Sequence, residues 1–148
     1  MAANTSPIFG RQADVQVGGA NLGVTAVTAT DGTGTLVSIF QADATEGGFV
    51  DRITLKPVGS PVATVARIFL LAASGAFTSG TTNTATNTAL LTETGIPLVT
   101  SSNVNSQPEY TIPIRLSLPP GYRLLIGFGT STGTTGNCYA VTTAACKY

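Results

Sequence analysis

The sequence predicts an all-β protein: a single-domain β-sandwich, jelly-roll-like, carrying an extended N-terminal arm. Three observations predict it. Apolar and polar residues alternate through several segments, most clearly in "EYTIPIRLSLPPGYRLLIGFGTS" (109–131), and alternation at period two is the mark of a strand with one buried face. Thr, Val and Ile are abundant between turn residues, with 17 Gly and 8 Pro in the chain, as strands and tight turns require. No segment shows convincing helical periodicity. A chain of 148 residues is the size of one domain and buries about 68–70% of its unfolded surface. The arm is read as residues 1–12 and the sandwich as 13–148.

The elements follow in order. Asp14–Val17 is a short alternating strand, and Leu22–Thr28 follows a Gly-Gly turn signal. "TLVSIFQ" (35–41) follows Asp31-Gly32, a tight-turn pair. "FVDRITLKPV" (49–58) places Phe49, Ile53 and Leu55 on one face and Arg52, Thr54 and Lys56 on the other. In "VATVARIFLLA" (62–72), Val62, Ala66, Ile68 and Leu70 share one face and Ala63, Val65, Phe69 and Leu71 the other. Both faces are apolar except at Arg67, so this strand is covered on both sides: by core within, and by a loop or another subunit without.

"TTNTATNTALLTE" (81–93) is the best helical candidate, but its Thr and Asn content favours no more than a short turn near Ala89–Thr92. The uncharged stretch Thr78–Thr88 and the polar segment Thr100–Glu109 read as loops. In the next strand Ile112, Ile114, Leu116 and Leu118 point inward, opposite Thr111, Pro113, Arg115 and Ser117. Pro113 lacks an N–H and marks an edge strand or a bulge. A Pro119-Pro120-Gly121 turn leads to Tyr122, Leu124, Ile126 and Phe128, again inward. The last strand is about Cys138–Thr143. Eight or nine strands without an internal repeat fit a sandwich or jelly roll and disfavour propellers and solenoids.

Charge is sparse and balanced, seven basic against seven acidic residues. That argues against nucleic acid, which selects a basic stripe, and against an anionic membrane. Low net charge favours association with copies or partners. No apolar run approaches a membrane span. "MAANTSPIFGRQ" has neither a basic n-region nor an apolar h-region, so synthesis in a cytoplasm is expected.

The chain has no histidine, which removes the commonest general base and zinc ligand. A Ser-His-Asp or Cys-His site cannot be built. A carboxylate pair could still hydrolyse a glycoside, but Asp14, Asp31, Asp43, Glu46, Asp51, Glu93 and Glu109 mostly sit beside turns. "TDGTG" (30–34) and "DATEGG" (43–48) read as hairpin turns and lack the spacing of a calcium loop. Hence no catalytic residue, no metal and no cofactor is expected. Cys138 and Cys146 are not spaced as a redox or zinc motif, and reduced thiols are the cytoplasmic default.

What remains is surface. Arg52, Lys56 and Arg115 share an outward face if their strands are neighbours, a candidate contact patch for an acidic partner, and Arg67 is a further candidate interface residue. In the arm, Ile8 and Phe9 are apolar anchors behind a stiffening Pro7, with Arg11 following. An arm of this kind can add to a neighbour's sheet. Tyr110, Tyr139 and Tyr148 are less clearly inward and are candidate anchors too.

"DGTGTLVSIFQADATEGGFVDRITLKPVG" (31–59), continuing into "ARIFLL", resembles a recurring segment of small structural proteins of tailed bacteriophages, and "MAANTSPIFG" resembles their N-termini. The likeness covers roughly the first half of the chain and rests on turn-and-strand patterns. A β-sandwich of this size is similar to head decoration (cement) proteins. The resemblance implies a non-enzymatic virion protein on the head surface, binding the major capsid protein and itself, with a trimer favoured. The rival expectation is a receptor- or glycan-binding module of a tail or spike, its loop Thr78–Thr88 offering hydrogen bonds. An enzyme such as a depolymerase ranks last.

Overall fold

The computed structural model of the chain describes residues 10, 12–17, 22–79, 82–83, 87–134 and 136–148. These residues contain no helix and ten strands: β1 (Gln12–Val17), β2 (Gly34–Thr35), β3 (Val37–Gln41), β4 (Gly48–Val58), β5 (Thr64–Leu71), β6 (Thr82–Asn83), β7 (Thr88–Ile96), β8 (Tyr110–Leu118), β9 (Arg123–Phe128) and β10 (Cys138–Lys147). Eight of them build two four-stranded antiparallel sheets, in the orders β1-β10-β4-β8 and β3-β9-β5-β7, while β2 and β6 pair separately. The pairing is nested. Among the eight, the first strand pairs with the last (β1–β10), then β3–β9, β4–β8 and β5–β7 follow inward.

Alternation explains the core. Ile53 and Leu55 of β4, Ile112 and Leu118 of β8, Ala66 and Ile68 of β5, and Leu124, Ile126 and Phe128 of β9 all enter one buried cluster between the sheets. Each large side chain buried there contributes about 1.5–3 kcal/mol. The Tyr139 ring stacks on Phe128 at 5.2 Å and 9°. The Thr143 hydroxyl donates to the Ile39 carbonyl across the interior (2.9 Å), which satisfies a polar group where β3 breaks register on β9 between Ser38 and Phe40.

The two-sided apolar strand is real, and the two faces divide as the alternation requires. Ala66 and Ile68 enter the central cluster, whereas Phe69 and Leu71 join Val27, Leu36 and Leu125 in a second cluster, with Phe77 and Leu90 packed against it. The cover on the second face is therefore the chain's own segment, which crosses it like a roof. Val27 is pinned on both sides: its N donates to Phe128 O (2.7 Å), and Arg67 Nη1 donates to its O (2.5 Å). Gly127 lets the roof touch the sheet, since a Cβ there would stand 2.7 Å from Leu36 and 3.1 Å from Val27.

Several expectations are corrected. Leu22–Thr28 is no strand; it makes only single bridges, Leu22 to Tyr139 and Ala26 to Phe128. Gly23, at φ 96°, turns the chain off the first sheet and sends it over the second. The turn proposed near Ala89–Thr92 is part of strand β7, because β5 offers it a ladder from Thr64 to Leu71 and that pairing overrides weak local preference. β10 runs four residues beyond Thr143, to Lys147. Phe49 does not share a face with Ile53: the register slips on both flanks of β4 around Asp51, so Val50 is buried and Phe49 turns outward. Tyr139 is fully buried and is no exposed anchor.

Candidate protein interface

The roof leaves the two outer faces of the sandwich unlike. Outside the sheet β1-β10-β4-β8, register places side chains in rows: Val17–Thr142–Thr54–Thr111, then Val15–Ala144–Arg52–Pro113, then Ala13–Cys146–Phe49–Ser117. Ala140 and Lys56 stand side by side at the upper end. The β1/β10 half carries no outward charge; the β4/β8 half carries Arg52, Lys56 and Arg115, all exposed. β4 and β8 are neighbours, so these three cations do share one face. At about 3.3 Å per residue they extend over a patch roughly 17 Å long.

Arg115 is positioned by strain. Between Val50 and Arg52 on β4, the partner strand runs from Leu116 to Pro113, one residue in excess. Arg115 adopts φ 49° in this bulge, a left-handed conformation costing a side-chain-bearing residue about 1–2 kcal/mol. Bulges re-aim side chains at sheet edges, and Pro113 beside it is the signal that was legible in the sequence. Among the described residues neither Lys56 nor Arg115 has an acidic partner. Arg52 holds Asp51 at 2.6 Å with both groups about half exposed, a contact worth no more than about 1 kcal/mol.

Arg67 stands elsewhere. Its side chain is 16% exposed, with Nε 2.6 Å from Glu93 Oε1 and Nη1 on the Val27 carbonyl. It works inside the fold, on the opposite outer face from Arg52, Lys56 and Arg115. Pro7, Ile8, Phe9 and Arg11 lie outside the described residues, as does most of the arm. Gly10 sits directly on Cys146, whose Sγ a Cβ there would strike.

The acids take structural posts. Asp31 Oδ1 accepts from the Thr33 hydroxyl (2.7 Å) and amide (2.9 Å), and these bonds hold its carboxyl below the usual range. Asp43 Oδ1 accepts from the Thr45 and Glu46 amides (2.8 and 3.0 Å), and is lowered by them likewise. Asp14 lies 3.8 Å from Lys147 Nζ. Among the described residues no three His, Cys, Asp or Glu gather as a metal site. Cys138 and Cys146 form no disulfide; they lie on one extended strand, about 26 Å apart at the strand rise, far beyond disulfide reach.

No family model, curated protein or solved structure matches this chain.

Proposed function

We propose that this chain is a non-enzymatic jelly-roll protein that works by adhesion: a decoration protein bound to the outer shell of a bacteriophage head, contacting the major capsid protein and further copies of itself. The jelly-roll reading is supported by the nested pairing, first strand with last and so inward, together with eight strands shared by two sheets; jelly rolls recur among viral coat and lectin domains. The phage reading is supported by the resemblance of residues 31–59.

The observation that carries adhesion is the unequal treatment of the two outer faces. One is roofed by the chain's own Val27, Leu36 and Phe77. The other bears an apolar half at Ala13, Val15 and Val17 beside a cationic half at Arg52, Lys56 and Arg115. Apolar area supplies affinity and the cations supply orientation toward an acidic surface.

The test is to add purified chain to DNA-filled heads that lack it, then sediment them and heat them. Binding is expected, with DNA released at a higher temperature. A variant carrying Lys56→Glu and Arg115→Glu is expected to bind weakly while melting like the parent. Failure to sediment with heads, or binding to tails alone, overturns the reading.

A further inference from the structure

Four strands end a sheet: β1 and β8 in one, β3 and β7 in the other. An edge strand presents unpaired N–H and C=O groups, and proteins blunt such edges with side-chain caps, prolines, bulges and charge. Three of these edges carry such a device. On β3, the Gln16 carboxamide donates to Gln41 O (3.3 Å) and accepts from Gln41 N (3.1 Å), and Ser38 N donates to Ser79 Oγ (3.1 Å). On β8, Pro113 has no N–H and the bulge at Arg115 bends the strand. On β7, Leu91 is an extra residue in the ladder, and Glu93 adds an exposed charge.

Among the described residues β1 carries no side-chain cap, proline or bulge. Its register on β10 runs unbroken from Gln12 to Val17. Its one charge, Asp14, turns inward to Gln16 Nε2 (3.0 Å) and Lys147. Outward it shows Ala13, Val15 and Val17, the two valines 65% and 73% exposed. Among the described residues no backbone group on its open edge has a partner.

We propose that β1 pairs antiparallel with β1 of a second copy across a twofold axis at Val15. Directly opposed residues in an antiparallel ladder face the same side, so only registers centred on a residue keep the apolar side chains together. Centring on Asp14 opposes two carboxylates, and centring on Gln16 leaves three strand residues paired. Centring on Val15 pairs five: Val15 meets Val15 of the partner subunit, Ala13 meets Val17 of the partner subunit, and Asp14 meets the neutral Gln16 of the partner subunit. The strand is its own complement, and two copies with zero formal charge do not repel each other.

Two four-stranded sheets then become one of eight, and their outer faces join into a single surface. The paired edge is five residues, about 17 Å, and buries far less than the ~1,600 Å² of a tight interface, so the dimer is weak and concentration-dependent. This pairing does not rest on the capsid reading, because the purified chain alone tests it.

The experiment combines light scattering over a concentration series with cysteine cross-linking. Val15→Cys and Val17→Cys are each made in a Cys146→Ser chain, since Val15 lies diagonal to Cys146 across the ladder. The expected results are a dimer that grows with concentration and a disulfide-linked dimer for Val15→Cys but not for Val17→Cys. Val15→Lys with Val17→Lys should give a monomer with an unchanged circular-dichroism melt. A wild-type chain that stays monomeric up to its solubility limit overturns the proposal. So does equal cross-linking at both positions, or association that the lysines leave intact.

Discussion

The two outer faces of this sandwich present the same problem with opposite solutions. Both carry apolar side chains on the side away from the core. On β5 and β9 the chain brings Val27, Leu36 and Phe77 across Phe69, Leu71 and Leu125 and buries them. On β1 it leaves Val15 and Val17 largely exposed. A fold that covers one apolar face with its own chain has no need of a partner there. The face that the described residues leave mostly open is where a partner has something to gain, and that is why the adhesive reading rests on it.

The difference can be broken most forcefully from the roofed side. Phe69→Ala removes the largest ring beneath the roof and is expected to lower unfolding stability by about 3–5 kcal/mol, read by chemical denaturation. Arg67→Ala strips the Val27 carbonyl and Glu93 of their partner and should lower it by about 2 kcal/mol, the scale of hydrogen bonds to a charged group. On the bare face, Val15→Ser and Val17→Ser should each stay within about 0.5 kcal/mol of the parent. Comparable losses on both faces would erase the distinction.

Smaller effects sharpen it. The Tyr139 hydroxyl is buried without a hydrogen-bond partner among the described residues, so Tyr139→Phe should leave stability unchanged or raise it by about 1 kcal/mol. Burial, and then the neighbouring Tyr110, push the Tyr139 phenol up from 10.0 to about 12. The unfolded chain therefore loses this proton first, and stability should fall as pH rises from about 10 toward 12, less steeply in Tyr139→Phe. At the acid end, Asp31 and Asp43 are held low by turn hydrogen bonds. What they contribute is present above the ordinary carboxylate range and is lost as pH falls through their lowered values. Carboxyl titration by NMR should place both below the usual aspartate value.

What the sequence disclosed tracks how each face is buried. β8 and β9 were legible because each buries a run of large aliphatic residues at every second position. β7 was not: its half-buried positions are mostly threonine, Thr88, Thr92 and Thr94 around Leu90, and Leu91 breaks the rhythm as an extra residue. The two apolar faces of β5 could be read directly, but not what covers the second, because Val27 and Leu36 sit in segments, 22–28 and 35–41, that read as ordinary strands. Arg67 looked like a surface cation for the same reason. Its partners Glu93 and Val27 lie 26 and 40 residues away, beyond any local pattern. The shared face of Arg52, Lys56 and Arg115 depended on β4 and β8 being neighbours, which only the strand order supplies.

The most direct test of the account is hydroxyl-radical footprinting of the chain free in solution and bound to heads. The account predicts that Val15, Val17 and Phe49 lose reactivity on binding, while the buried Val27 and Leu36 react equally little in both states. Protection gained over the roof, with Val15 and Val17 still fully reactive, would contradict it.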